Sequence, residues 1–245
     1  MRKQRRGGLL IPALAAIVAL AACLALGNWQ LERKAWKEGL IAALQERLAA
    51  PAAQLPSRSM WRDLNAQAAE FKRVTFPAEF LHDKEALVYA SPSALRPDVS
   101  GPGYWVITPA QLPGGSIIMV NRGFVPEAAK DPAQRSPGQT KGIVDLTGVM
   151  RWPEPRGTFT PADDPAHNIW FLRDHFAIAA AKGVDLTAPF YIDLESPTPA
   201  GGVPKAGTLT VSLPNKHLEY ALTWFGLAGV IVVMFAAFAF MRRRG

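Results

Sequence analysis

Cysteine is nearly absent from the chain, since Cys23 is the one cysteine among 245 residues. A single thiol excludes an internal disulfide and any Cys-x-x-Cys pair for redox chemistry or copper transfer. The sequence also lacks a Gly-x-Ser-x-Gly elbow, a phosphate loop, a His-Glu-x-x-His pair and a dinucleotide fingerprint. Hydrolase chemistry therefore has no support from motifs.

The central part of the chain lacks net charge. The whole chain carries a formal charge of +7, from 27 Lys and Arg against 20 Asp and Glu. The excess comes from basic residues at the two ends, where no acidic residue accompanies them: Arg2, Lys3, Arg5, Arg6, Arg242, Arg243 and Arg244. Residues 27–219 are consequently neutral, so we expect no basic face for a nucleic-acid partner.

Two uncharged segments are long enough to cross a membrane. Residues 9–26 and 221–241 each approach the ~20 residues that span about 30 Å of hydrocarbon. The basic clusters outside both segments predict cytoplasmic termini by the positive-inside rule. The sequence thus predicts a multi-pass protein of the cell inner membrane, with cytoplasmic ends at 1–8 and 242–245, spans at 9–26 and 220–241, and a periplasmic domain at 27–219.

Cys23 leaves an alternative for the first span. The string Leu20-Ala21-Ala22-Cys23 resembles the processing site of a lipoprotein. A cleaved and lipidated chain would still hold its central domain on the same side of the membrane, because the second span remains. Lipidation of Cys23 is therefore left open.

The central region begins as a helix and continues as β structure. Residues 28–48 carry large apolar side chains at four-residue spacing, which predicts a helix that extends the first span and ends before Pro51. A short helix is predicted at 62–69 and another at 174–182, ended by Gly183. Runs with a period of two predict strands at 71–81, 86–91, 103–108, 116–122, 142–151, 190–194 and 208–213.

The predicted fold class is an α+β membrane protein, in which two transmembrane helices flank a periplasmic antiparallel β-rich domain with a few helices. Helices are missing between most of the β runs, and this disfavours a parallel sheet with crossovers. Twenty of the 21 prolines fall in residues 27–219, so the strands must be short. Such strands can close into a barrel-like sheet.

For most histidines and paired acids in the central region we expect surface, cap or turn positions rather than metal binding. His82, His167 and His175 do not recur at the spacing of metal ligands, and we expect surface or cap positions for them. Asp163 and Asp164 lie between prolines, and we expect a solvated turn there.

His217 is the strongest candidate for a ligand-binding residue. Pro214 and Asn215 predict a helix start with Asn215 as the N-cap, so that His217 lies in the first turn of the second span. A helix N-terminus favours the neutral imidazole, which is the form that binds a metal. Trp224 shares its helix face and Tyr220 flanks it. The same residue types also form interfacial belts that hold no ligand.

Trp29 and Arg33 extend this candidate site from the other span. Trp29 lies about 4.5 Å and His217 about 6 Å beyond the apolar segments of their helices, so the two residues reach a similar height. Arg33 and Lys34 follow one turn later and can pair with acidic groups of a flat amphipathic ligand, such as haem propionates. Basic side chains are equally common at a membrane–water interface where no such ligand binds.

Five strings in the chain form a recognisable set. They are LGNWQLERKAWK at 26–37, VNRGFVP at 120–126, TGVMR at 147–151, FTPADD at 159–164 and NKHLEYALTWF at 215–225. In their order, and with a span at each end, they resemble the surfeit locus protein family, the membrane-embedded assembly factors of haem-copper cytochrome oxidase. The similarity covers nearly the whole chain.

This resemblance implies a non-enzymatic assembly factor for cytochrome c oxidase. It implies a chaperone-like protein of the respiratory chain that holds haem a transiently for insertion into the catalytic subunit. The expected partners are that subunit and the haem a synthesis machinery. The expected cofactor site comprises His217 as the ligand of the haem iron, with Trp224, Tyr220, Trp29 and Arg33.

Two other functions stay open at this point. A scaffold would steady the oxidase subunit without touching haem, and it needs no histidine ligand. A membrane-tethered periplasmic enzyme would need a concave cluster of titrating groups in the β domain. Arg122, at the end of an apolar strand, is a further candidate: it can dock the oxidase subunit, or hydrogen-bond a turn beside Gly123, which is the role we expect.

Overall fold

The computed structural model describes residues 9–90, 96–185, 188–210 and 214–244. The predicted basic end at 1–8 and Gly245 therefore lie outside the described residues. The helices are α1 Leu10–Ala49, α2 Ala66–Ala69, α3 His175–Ala181 and α4 His217–Arg244. The strands are β1 Ala53–Gln54, β2 Arg73–Phe80, β3 Ala86–Tyr89, β4 Gly103–Gln111, β5 Ile117–Pro126, β6 Ile143–Arg151, β7 Ile169–Trp170 and β8 Tyr191–Ser196.

Five strands close into a barrel in the order β2, β6, β8, β5, β4. The ring is completed by a short antiparallel pairing of β4 with β2, through Gln111 with Glu79 and Ala110 with Phe80. The remaining strands extend the sheet beyond β2 and β4. The predicted α+β class with a barrel-like β domain between two apolar helices is confirmed.

Strand direction is mostly antiparallel, as the sequence predicts. The main exception is β8, which pairs parallel with β5 over Met119–Asn121 and Tyr191–Asp193. The short pairings of β1 with β2 and of β3 with β7 are parallel too. A parallel pair requires a long connection, and the chain between β5 and β8 supplies one that contains β6, β7 and α3.

The core has an inner and an outer layer. Alternate side chains of the barrel strands fill the interior, among them Phe76, Ile118, Leu146 and Ile192. Apolar residues of the opposite face pack under α3 and β7, among them Trp105, Ile107, Met119, Trp170 and Ile178. Strands β4 and β5 are therefore buried on both faces, and almost all of their residues are shielded from solvent.

Two local predictions were wrong. Residues 62–69 are not one helix, because a 3-10 turn at Arg58–Asp63 ends before extended backbone at Leu64 and Asn65. The Asn65 side chain accepts a hydrogen bond from the Ala68 amide at 3.0 Å and so starts α2 as its N-cap. Residues 208–210 are not a strand, while 211–213 lie outside the described residues.

Helices α1 and α4 are the candidate membrane spans, by their length and apolar composition. Most of their side chains are exposed, which differs from the core helix of a soluble protein. The buried residues on them are small: Cys23 and Gly27 on α1, Ala221 and Ala228 on α4. A Cβ on Gly27 would lie 2.5 Å from the Phe225 ring, so a larger residue there would require that ring to move.

The described chain divides into two compact units. One contains α1 as far as Ala42 and the chain from Pro214 onward, and the other contains residues 43–210, with the barrel.

Candidate functional site

His217 is the first residue of α4. Its amide donates to the Asn215 side-chain oxygen at 3.4 Å, while the first intrahelical bond runs from the Tyr220 amide to the Lys216 carbonyl. With Asn215 as the N-cap the helix would begin at residue 216, so it begins one residue later than predicted. Asn215 still binds one of the free amides of the first turn. His217 lies in that first turn, as the sequence predicts.

The imidazole of His217 is held by Gln30, a residue 187 positions away in the sequence. His217 Nδ1 lies 2.7 Å from Gln30 Oε1. An amide oxygen only accepts hydrogen bonds, so Nδ1 carries the proton and donates it. In a neutral ring Nε2 is then unprotonated, and it has no hydrogen-bond partner among the described residues. The contact therefore leaves the lone pair of Nε2 available to a metal ion.

A second contact holds the chain just before His217. Lys37 Nζ donates to the Pro214 carbonyl at 2.5 Å. Lys37 follows Gln30 by seven residues, about two helical turns, so both project from the same face of α1. The polar part of α1 thus binds the start of α4 at two points within one compact unit.

The predicted aromatic residues lie near this pair along the two helices, and none of them has a ring contact to the imidazole among the described residues. Trp224 follows His217 by two helical turns and is half-buried, while Tyr220 is exposed. Trp29 is exposed and directly precedes Gln30. Among the described residues, no ring stacking joins these three side chains to the imidazole. Their exposed faces are available to an apolar ligand.

Arg33 keeps its hydrogen-bond donors free. Its guanidinium lies over the Trp36 ring, 3.9 Å from the ring centre. Stacking uses the face of a guanidinium and leaves the in-plane N–H groups for a carboxylate. Lys34, in contrast, pairs with Glu38 at 2.7 Å. In the part of the chain that the structure describes, Arg33 has no acidic partner, so it is the better candidate to bind an anion.

Asn121 and Gly123 in the string VNRGFVP shape the barrel wall. Asn121 donates to Asp193 Oδ1 at 2.8 Å and accepts from the Gly123 amide at 3.1 Å. Gly123 has a φ of +118°, and a Cβ there would come within van der Waals overlap of the Lys205 carbonyl. This glycine is therefore required both by its conformation and by the close approach of the Lys205 backbone, which forms an isolated antiparallel bridge with Phe124.

Arg122 is buried and bonds to a loop rather than to solvent. It donates to the Gly138 carbonyl and to Gln139 Oε1, and its Nη1 lies 3.1 Å from His82 Nδ1. Burial lowers the pKa of the Arg122 guanidinium to about 10, so it stays charged at neutral pH. The geometry supports a structural role, with the acceptors in the loop at 138–139 instead of beside Gly123.

Buried ion pairs are the feature that the sequence interpretation missed. Glu85 binds Arg135 through both carboxylate oxygens, and Asp193 accepts from Arg151 Nη1 at 2.9 Å. The residue through which the sequence could have indicated these ion pairs is Arg151, the last residue of the string TGVMR. Beside Asp193 lies a cavity of about 10 Å³, close to the minimum that one water molecule occupies.

Two expectations for acids and histidines were wrong. Asp163 is not simply solvated, because its Oδ1 accepts from the Phe171 amide at 2.8 Å and it pairs with Arg156. His175 is buried at 1% exposure, packed on Phe176 and Tyr191. Burial lowers the pKa of His175 to about 4. Over the described ranges, no group of three or more His, Cys, Asp or Glu side chains is arranged to hold a metal ion.

Comparison with known proteins gives a consistent picture. The family model described as the SURF1 family matches residues 17–229. A SURF1-like protein of Monosiga brevicollis is 36% identical over 250 residues, covering 98% of this chain and 90% of that protein. Surfeit locus protein 1 is 36% identical in Mus musculus, over 89% of this chain and 70% of that protein. The Homo sapiens protein is 35% identical, over 83% of this chain and 69% of its own length.

Proposed function

Because this chain belongs to the SURF1 family, known generally as cytochrome oxidase assembly factors rather than enzymes, we propose that it holds haem a for insertion into the oxidase's catalytic subunit. Haem a is cargo in this function, bound transiently at the outer face of the inner membrane. The proposed partners are the catalytic subunit and the machinery that makes haem a.

The observation that supports the proposal is the hydrogen bond from His217 Nδ1 to Gln30 Oε1 at 2.7 Å. It leaves Nε2 as the free nitrogen, which is the arrangement of most metal-binding histidines. His217 Nε2 would hold bound haem through its iron, since an imidazole nitrogen is a common protein ligand of haem iron. One histidine is enough for this, and no metal-binding cluster is needed.

The surrounding residues fit the rest of the cargo. Haem is flat and apolar with acidic propionates at one edge. Trp29, Tyr220 and Trp224 offer aromatic surface that is at least partly exposed, and aromatic faces pack well on flat ring systems. Arg33 has free in-plane donors for a propionate carboxylate. Each predicted site residue thus has a role that its observed environment permits.

The proposed membrane orientation follows from charge. Both candidate spans end in basic clusters on the far side from the barrel-containing segment in the sequence. The positive-inside rule puts those clusters in the cytoplasm and the intervening chain in the periplasm. Trp29 and His217, which adjoin the intervening chain, then lie at the outer face.

The test is to purify the protein from cells that make haem a and to record its optical spectrum and haem content. His217→Ala should purify at normal yield with the haem signal lost or shifted, and the oxidase made in its presence should be haem-deficient. His167→Ala, at an exposed histidine of the β domain, is the matched control and should keep the wild-type signal.

The outcomes separate the proposed function from its alternative. If His217→Ala keeps the wild-type spectrum and stoichiometry, the assignment of His217 as ligand is wrong. If the wild-type protein carries no haem under these conditions, haem holding is wrong as well. A haem-free protein that still co-purifies with the catalytic subunit would then identify a scaffold.

A further inference from the structure

We infer that Gln30 is the positioning residue of this site: its side-chain oxygen selects the Nδ1-protonated tautomer of His217 and so reserves Nε2 for the haem iron. The inference rests on the proposed function for the identity of the ligand. The tautomer itself is a property of the protein without haem, and it can be measured separately.

The selection follows from the donors and acceptors at the contact. A neutral imidazole carries its proton on one nitrogen only. With Nδ1 protonated, the ring donates to Gln30 Oε1 across 2.7 Å. With Nε2 protonated, the lone pairs of His217 Nδ1 and Gln30 Oε1 would face each other across the same distance, unless the side-chain amide of Gln30 turned. Both groups are half-buried, so water competes less for the bond than it would at an open surface.

The two-point contact between α1 and the start of α4 holds the ring in place. The carbonyl that precedes α4 is bound by Lys37, and the ring of its first residue is bound by Gln30. Gln30 and Lys37 share one face of a continuous helix. The direction in which Nε2 points is therefore determined by α1, in addition to the backbone of α4 itself.

The choice of an amide rather than a carboxylate suits a temporary holder. A carboxylate on the remote nitrogen raises the basicity of a metal-binding histidine. A neutral amide orients the ring and adds little electron density to the iron. Gln30 therefore provides orientation without a strong bond, as is required if haem a has to leave for another protein.

The first experiment uses the full-length protein without haem, in detergent, with ¹⁵N-labelled histidine. Signals of His217 are assigned by their loss in His217→Ala. In the wild type we expect a protonated Nδ1 and an unprotonated Nε2. In Gln30→Leu the ratio of these tautomers should fall by roughly fivefold, the ratio that one net hydrogen bond supports. Gln45→Leu, at an exposed glutamine of the same helix, is the control and should leave the ratio unchanged.

The second experiment measures the haem-loaded protein. Gln30→Glu should lower the midpoint potential of the bound haem, because a carboxylate strengthens the axial ligand. Gln30→Leu should broaden or shift the optical spectrum while His217 remains in place. Gln30→Glu also serves where the leucine variant does not fold, since its carboxylate accepts the same hydrogen bond.

These results distinguish the two claims. A wild-type protein with Nε2 protonated, or a Gln30→Leu variant with an unchanged tautomer ratio, overturns the role of Gln30 even if His217 binds haem. An unchanged potential in Gln30→Glu overturns the inferred effect on the iron. If the wild type binds no haem, the proposed function fails. The tautomer ratio still decides whether Gln30 selects the protonated nitrogen of the His217 ring.

Discussion

Replacing Glu85 with Gln should destabilise the β domain strongly, because Glu85 is the acidic partner of two buried cations. Its carboxylate binds Arg135 through both oxygens, with Oε2 at 3.2 Å from Nη1. The same Oε2 lies 4.0 Å from Nη1 of Arg122. All three side chains are shielded from solvent. The substitution keeps the shape of the side chain and removes only the charge.

The magnitude follows from what remains after the change. Glu85→Gln leaves the guanidiniums of Arg135 and Arg122 buried without a counter-charge, and breaking a buried pair in this way costs about 3–5 kcal/mol. A typical domain has an unfolding free energy of about 5–15 kcal/mol, so the loss is a large fraction of the whole. The cell should therefore contain much less folded protein.

Two variants provide the comparison. Arg122→Met leaves the pair of Glu85 with Arg135 intact and removes the hydrogen bonds to Gly138 and Gln139, which should cost about 1–3 kcal/mol. Glu79→Gln makes the same chemical change at an exposed position of β2 and should stay within about 0.5 kcal/mol of the wild type.

The assay is urea unfolding of the detergent-solubilised protein, followed by tryptophan fluorescence, together with the amount of protein in cells. Trp61, Trp105 and Trp170 are buried in the β domain and report on its unfolding. The loss of stability should decrease from Glu85→Gln through Arg122→Met to Glu79→Gln. A Glu85→Gln variant as stable as the Glu79→Gln control would refute the reasoning. Normal abundance of Arg122→Met with loss of oxidase-subunit binding would instead favour docking by Arg122.

Three further predictions concern topology, Cys23 and pH. A reporter active only in the periplasm should be silent when fused after Gly245 and active when inserted at the exposed turn Ala200–Gly201; the opposite pattern contradicts the predicted orientation. Apart from the mass of the lost sulfur, Cys23→Ala should leave the mature protein's mass, membrane retention and oxidase activity unchanged, whereas a mature form that begins at Cys23 with added acyl mass would show lipidation. The folded pKa of His175 is about 4, below its ordinary 6.5, so below pH 6.5 the unfolded chain takes up a proton that the folded chain excludes. The unfolding free energy should therefore fall by about 2 kcal/mol between pH 7 and 5, and His175→Leu should remove that slope; an equal slope in the variant would contradict it.

The helices and most strands were predictable because their patterns are local. Uncharged runs and four-residue spacing predict α1 and α4, and Asp174 with Gly183 marks both ends of α3. The prediction of one helix at 62–69 was wrong, because Asn65 forms better hydrogen bonds as a cap than inside a helix. The sequence did not determine whether β2 pairs with β4 to close the barrel. That closure depends on one short pairing between strands that are not adjacent in the sheet order.

Buried charges were beyond the reach of the sequence pattern. The alternation in Tyr191–Ser196 indicates one apolar and one polar face, and a polar face is ordinarily solvated. In the structure Asp193 is buried, because Arg151 and Asn121 reach it from β6 and β5. These partners are 42 and 72 residues away. No local rule specifies such a match, because it depends on the register of three strands.

For the candidate site, too, some features follow from the local sequence and others from tertiary contacts. The sequence by itself determined that the chain has two apolar segments long enough to cross a membrane, a central region without net charge and a histidine at the start of the second apolar helix, since these follow from composition and helical period. Only the tertiary structure decided which nitrogen of His217 is free, because its partner Gln30 lies on the other long helix. A ring tautomer depends on the group that touches the ring, and that contact exists only after the two helices pack.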